Sequence, residues 1–209
     1  RNKPENSDAA FLEFKDGAIT LCGNGSALKP DFTRLLPRIT PNRLNGEMLI
    51  KAAKIKGVQG TLTAVDATAG LGEDAFLLAA AGYNVRLYER DNVIALLLFD
   101  ALRRACMDER LSWVAERMTL FQDDSMEAMP KLCPKPDIIL LDPMFPARQK
   151  SGLIKKKFQL LQRLESPCED EEKLLSAAIT SNPRKIIIKR PLKGPYLAGK
   201  KPDYSIMGK

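Results

Sequence analysis

Between residues 47 and 189 the chain switches about five times between a short apolar run and a longer helical pattern, and this alternation limits the possible folds more than any other feature. The spacing predicts strands at 62–66, 84–89, 117–121, 137–141 and 185–189. Helices are predicted at 47–54, 73–81, 92–104, 125–132 and 169–178. Ile138, Ile139, Leu140 and Leu141 form an unbroken apolar run, which suits a strand covered on both faces. Together these features predict an α/β class: a parallel sheet with helices on both sides. With 209 residues, 44% of them hydrophobic, the chain can build one sizeable core. The first part differs. Phe11-Leu-Glu-Phe and Ala18-Ile-Thr-Leu-Cys read as two short strands around Lys15-Asp16-Gly17, an Asp-Gly hairpin signal. Residues 30–46 carry three prolines, two asparagines and a glycine and read as a linker holding Arg34, Arg38 and Arg43. The expected division is a hairpin and linker at 1–45 and an α/β unit at 46–209. Neither an internal repeat nor a low-complexity stretch interrupts it.

Composition removes several classes of chemistry. The chain has no histidine, which excludes a Ser-His-Asp triad, a Cys-His dyad and every His-based metal site. Cys22, Cys106, Cys133 and Cys168 are scattered, with no Cys-x-x-Cys pair, so the expectation is no metal. Single cysteines of this kind fit a reducing compartment, and a cytoplasmic location is expected. No apolar run reaches the roughly 18 residues a membrane span needs, so no membrane partner is expected. Arg1-Asn-Lys-Pro-Glu-Asn lacks a signal-peptide core and a starting Met, as a trimmed chain would. Acid–base chemistry would fall to Asp, Glu, Lys or Tyr.

The balance of 33 basic against 26 acidic residues gives a charge of +7. Such a surface attracts phosphate backbones. Lys150, Lys155, Lys156 and Lys157 follow one strand end, and Arg184, Lys185, Lys189, Arg190 and Lys193 surround the last predicted strand. Lys150, Lys155, Lys156, Lys189 and Arg190 are the candidate phosphate contacts.

Four successive strand ends carry groups suited to one nucleoside ligand. Asp66-Ala-Thr-Ala-Gly70-Leu-Gly72 follows the first strand of the unit and opens a helix, where glycines allow close backbone approach. Glu89 ends the next strand, where a carboxylate can accept both ribose hydroxyl hydrogens. Glu73 and Asp74 stand where the diphosphate of a dinucleotide would approach the helix N-terminus, and they would repel it. They suit a cationic sulfonium and an α-ammonium, which favours S-adenosyl-L-methionine. Asp124 and Ser125 close the third strand and border an adenine position. Both are also good helix caps. The fourth end is Asp137-Ile-Ile-Leu-Leu-Asp142-Pro-Met-Phe145-Pro146. Its prolines stiffen the loop. Phe145 offers a face on which a base can stack, and Asp142 can accept hydrogen bonds from an exocyclic amine.

That loop resembles the Asp/Asn-Pro-Pro-aromatic loop of nucleic-acid amino-methyltransferases. Over residues 46–191 the similarity is narrower. Asp66-Ala-Thr-Ala-Gly-Leu-Gly, Glu89-Arg90, Leu141-Asp-Pro-Met-Phe-Pro, Arg148-Gln-Lys-Ser151 and Ile188-Lys-Arg-Pro191 resemble the bacterial small-subunit (16S) ribosomal RNA guanine-N2 methyltransferase J family. The resemblance implies a Rossmann-like class I methyltransferase sheet. It also implies S-adenosyl-L-methionine as cofactor and 16S ribosomal RNA or the small ribosomal subunit as partner. The family's cofactor contacts carry over onto Glu73 and Asp74, Glu89 and Arg90, Asp124 and Ser125, and Asp142. In that frame a flipped guanine stacks on Phe145, Asp142 receives its N2 amine, and Arg148 lies on the substrate side. The chain departs from the family where Glu73 replaces a frequent Arg and Ala147 a frequent His. The family pattern also continues past Lys209 into an Arg-Phe-Asp segment, so a further sheet strand is expected there.

Other readings stay open at this stage. The same loop suits adenine-N6 or cytosine-N4 amines, although Met144 in place of a second Pro weighs against them. A non-catalytic RNA-binding ribosome-assembly protein could keep this fold. A nicotinamide dehydrogenase is disfavoured by Glu73-Asp74 and by the missing histidine.

Overall fold

The computed structural model describes residues 10–23, 25–143, 170–192 and 194–207. The chain opens with β1 (Phe11–Lys15), β2 (Ala18–Gly23) and β3 (Ser26–Leu28), an antiparallel sheet in that order. Asp16 and Gly17 both take positive φ, 51° and 71°, which gives the two-residue turn its twist. The third strand was not foreseen.

Residues 30–46 are not a free linker. A 3-10 turn at Phe32–Leu35 and helix α1 (Pro41–Leu44) insert Phe32, Leu35, Ile39 and Leu44 into the main core. Phe32 stacks on Phe76, with centroids 4.6 Å apart and planes 11° from parallel. Each such ring removes a large apolar area from water, worth roughly 2–3 kcal/mol. Pro37 and Pro41 resemble linker punctuation in the sequence, whereas the apolar residues between them follow a turn-like spacing.

The rest alternates as expected. In chain order it runs α2 (Met48–Ala53), β4 (Thr63–Asp66), α3 (Glu73–Ala80), β5 (Asn84–Tyr88), α4 (Asn92–Cys106), α5 (Ser112–Ala115), β6 (Met118–Phe121), α6 (Ser125–Ala128), β7 (Ile138–Leu141), α7 (Glu171–Thr180) and β8 (Lys185–Ile188). Among the described residues, short α5 and a 3-10 turn at Leu197–Gly199 are elements that the periodicity missed. The strands form a five-stranded sheet in the order β6-β5-β4-β7-β8, every pair parallel. Order reverses between β4 and β7, and ligands of open α/β sheets bind beyond the strand ends at such a switch point.

Side-chain alternation explains the two-sided burial. Ile138 and Leu140 face the core shared with α2, α3 and α4, while Ile139 and Leu141 face the core shared with α6 and α7. All four are fully buried. The hairpin sheet docks on α4 through a small apolar contact of Leu21 with Leu97 and through a polar anchor at Asp100. Among the described residues, no helix is long and apolar enough to cross a membrane.

Candidate active site at the strand-order switch

The crevice forms where the ends of β4, β5 and β7 meet the start of α3. After β4 the chain makes a tight loop, with Gly70 at φ 52° and Gly72 at φ 75°. Gly72 is the residue before α3 and has no room for a side chain. A Cβ there would lie 2.7 Å from Leu98 Cδ1 and 3.4 Å from both Leu87 Cδ2 and Phe32 Cζ. That glycine lets loop and helix pack closely, and Gly70 serves the site more directly. Its N–H donates to Glu89 Oε2 at 3.0 Å, and Asp91 N–H donates to Glu89 Oε1 at 2.8 Å. Burial raises the Glu89 carboxyl above its usual range, and these backbone donors oppose the shift. Each oxygen accepts one of these bonds and, having two lone-pair sites, can take another. Glu89 is therefore pre-oriented at the end of β5. Arg90 beside it is exposed.

Asp66 ends β4 and is 2% exposed. Among the described residues its Oδ1 accepts a 3.2 Å bond from Thr68 N–H. Burial, reinforced by the nearby Asp74 and Asp142 carboxylates, pushes its pKa up to about 7. Asp142, just past β7, donates its backbone N–H to Thr68 Oγ1 at 2.7 Å. Thr68 thus ties the glycine loop to the Asp-Pro loop. Thr68 has no task in the sequence motif that contains it; a hydroxyl in a glycine-rich turn is the signal that marks it.

Lys189, one residue past β8, lies between two carboxylates. Its Nζ pairs with Asp142 Oδ2 at 2.7 Å and also with Asp74 Oδ2. Burial works to lower the Lys189 pKa, but Asp74 and Asp142 outweigh it and hold the ammonium above its usual range. This lysine was expected at a phosphate, and its partners here are internal. Neighbouring charges behave alike. Arg184 pairs with Asp137 at 3.0 Å. Lys185 Nζ donates to the carbonyls of Ala52 and Lys54. Arg190 Nη2 donates to the Gly194 carbonyl, and its guanidinium lies 4.4 Å from the centroid of the Tyr196 ring. Arg190 Nη1 is buried with no partner among the described residues, the one such atom in this basic group.

On the other flank Asp124 caps α6, its Oδ1 accepting from Met126 N–H at 2.8 Å, and Ser125 is buried. Glu73 is exposed in the first turn of α3, with Asp74 beside it. Phe145, Arg148, Lys150, Lys155 and Lys156 lie outside the described residues. Among the described residues no group of three or more His, Cys, Asp or Glu is arranged to hold a metal ion.

The chemistry of this crevice fits a cationic nucleoside. Asp74 and Asp142 share one ammonium there, Asp66 is buried beneath them, Glu89 is oriented at the neighbouring strand end, and Glu73 stands exposed in the first turn of α3. A diphosphate would meet repulsion at that turn. The family model described as "Putative SAM-dependent methyltransferase" matches residues 18–209. The chain belongs to the SAM-dependent methyltransferase family. SAM is S-adenosylmethionine, the family's cofactor. A protein of Erwinia tasmaniensis named "Ribosomal RNA small subunit methyltransferase J" is 46% identical over 74% of this chain and 62% of its own length. One of the same name from Pseudoalteromonas atlantica is 41% identical over 82% of this chain and 70% of its own. The chain thus spans about 62% of the length of the first curated relatives it matches. A crystal structure of a SAM-dependent methyltransferase from Neisseria gonorrhoeae shares 32% identity and a TM-score of 0.77, covering 97% of this chain and 80% of that one.

Proposed function

We propose that this chain carries the catalytic unit of an enzyme that methylates the exocyclic N2 amine of a guanine in small-subunit (16S) ribosomal RNA. The observation that carries the reading is Asp142. It is a carboxylate at the strand-order switch, fixed through its backbone to the glycine loop and open enough for its side chain to be 39% exposed. The two relatives' names supply the RNA, and the Asp-Pro-Met-Phe loop supplies the kind of acceptor atom.

Glu89 would hold the ribose hydroxyls, and the Gly70 loop would pass beside the nucleoside. Asp124 and Ser125 would border the base. Asp74 and Asp142 would face the positive charge. Bound there, S-adenosylmethionine supplies an electrophilic methyl group on sulfur. Asp142 would accept hydrogen bonds from the guanine N2 amine and aim its lone pair in line with that methyl. As the N–C bond forms and the C–S bond breaks, positive charge builds on nitrogen, and a nearby carboxylate lowers the barrier. The nitrogen then loses one proton to solvent. Phe145 would stack on the flipped base, and Arg148, Lys150, Lys155, Lys156 and Arg190 would meet the RNA on the substrate side. A soluble, cytoplasmic enzyme is the setting this substrate requires.

The test is transfer of radiolabelled methyl from S-adenosylmethionine to small ribosomal subunits lacking the modification, followed by nucleoside analysis. Labelled N2-methylguanosine is the expected product. Label in N6-methyladenosine or N4-methylcytidine would reassign the acceptor. RNA binding with neither cofactor binding nor label would overturn the enzymatic reading.

A further inference from the structure

The lysine between the two crevice carboxylates has no assigned task. Lys189 leaves β8 directly beside Asp142, because β7 and β8 run in parallel register with Leu141 opposite Ile188. Its backbone N–H is fixed by a 2.9 Å bond to the Leu141 carbonyl. From that anchored position its side chain passes Asp142 and reaches Asp74 on α3, joining three separate elements with one ammonium. A phosphate contact would require it to leave both carboxylates. Two carboxylates and one ammonium leave one net negative charge at the surface of the crevice, above the buried Asp66.

We propose that Lys189 is a positioning residue whose ammonium holds Asp74 and Asp142 in place and sets the charge that a methyl donor and its spent product meet in the crevice. This rests on reading the crevice as the cofactor site. S-adenosylmethionine carries one more positive charge than S-adenosylhomocysteine, and that charge sits on the sulfur. The potential around Asp74 and Asp142 therefore decides how strongly donor is preferred over product. Without Lys189 the crevice would be more negative. The donor would gain relative to the product, and Asp142 would lose a partner that fixes its rotamer. With Lys189 the preference is moderated, so the site can exchange product for fresh donor without strongly favouring either charge state.

The experiment is isothermal titration of the full chain with S-adenosylmethionine and with S-adenosylhomocysteine, for wild type, Lys189→Met and Lys189→Arg, at low and high salt. Melting temperature serves as the folding control. In Lys189→Met the ratio of product Kd to donor Kd should rise about fivefold or more at low salt, and added salt should shrink that rise. Lys189→Arg keeps the charge and should keep the wild-type ratio. A lysine that only braces the loops would weaken both ligands together in Lys189→Met and leave the ratio unchanged, which overturns the proposal. If wild type binds neither ligand, the cofactor reading of the crevice falls and this inference falls with it. If wild type binds both and the ratio ignores the lysine, only the inference falls.

Discussion

Asp66 and Asp100 are equally shut away from water, each 2% exposed, yet the protein treats them in opposite ways. Asp100, on α4, accepts from the Ile19 backbone N–H at 3.1 Å, from Arg104 Nε at 2.8 Å and from Arg103 Nη2 at 2.9 Å. Burial alone would raise its pKa, but those donors more than reverse it and hold the carboxyl below its usual value. Among the described residues Asp66 receives one long backbone bond, and the charges acting on it include two further carboxylates. Its pKa climbs to about 7. Both side chains are shielded from water, but Asp66 lies much deeper in the protein than Asp100, so depth and partners together set the opposite shifts. The saturated aspartate fastens the hairpin sheet to the α/β unit, where Arg103 and Arg104 also donate to the carbonyls of Gly17 and Pro30. The under-supplied one lies beneath Asp74 and Asp142, which share the Lys189 ammonium.

If that contrast is right, disrupting the crevice should damage chemistry and disrupting the anchor should damage stability. Asp142→Ala should lower methyl transfer about 10²–10³-fold, the range for losing one group that meets developing charge. The melting temperature should move little, because Asp142 is half-exposed and its pair with Lys189 lies close to solvent. Near-normal turnover would remove Asp142 from the mechanism. Asp100→Ala is the opposite case. It strands the Ile19 N–H and two guanidinium groups, and should destabilise by about 3 kcal/mol in urea unfolding. Transfer by the fraction that stays folded should be near wild type. A loss of turnover without a loss of stability would mean that the hairpin sheet contributes to the site.

Gly72 sits where the two regions meet, since the Leu98 it packs against belongs to the same helix as Asp100. Gly72→Ala forces a side chain into the left-handed region and against Leu98 Cδ1. The conformation costs roughly 1–2 kcal/mol and the crowding adds to it, partly relieved because a leucine methyl can shift, for about 2 kcal/mol in all. Both stability and cofactor affinity should fall, measured by urea unfolding and by titration with S-adenosylhomocysteine. An effect on stability alone would make Gly72 purely a packing residue.

The strands and their order of type were legible because each is a short apolar run bounded by turns. The strand ends were legible too, since Asp66, Glu89, Asp124 and Asp142 each close such a run. What the sequence hid was pairing. Lys189 and Arg184 read as free cations because their partners lie 47 residues or more away along the chain, on other elements. The segment 30–46 read as linker because its prolines outweighed Phe32, Leu35 and Ile39, whose burial depends on a helix face that the local pattern does not display. Asp100 drew no notice at all. One carboxylate inside an apolar helix is ambiguous until the Ile19 N–H is known to lie opposite it.

The smallest effect is also the sharpest test of the opening contrast, because the two aspartates should act on stability in separate pH windows. Asp66 has its folded pKa raised from 3.8 to about 7, so the folded state holds a proton that the unfolded chain has released. The stability this gives is fully present below pH 3.8 and is lost as pH rises towards 7. With two interacting carboxylates and a lysine nearby, a loss on the order of 1–2 kcal/mol is expected. Asp100 has its folded pKa depressed, so its contribution is present above the unfolded value of 3.8 and disappears as pH falls through the lower folded one. Urea unfolding of wild type should therefore show stability declining from about pH 4 to 7, with a separate acid limb below. Asp66→Asn cannot titrate and should flatten the neutral decline while leaving the acid limb. Asp100→Asn should erase much of the acid limb while leaving the neutral decline. If Asp66→Asn keeps the wild-type slope, then Asp66 is ionised through that range and the contrast between the two buried aspartates fails.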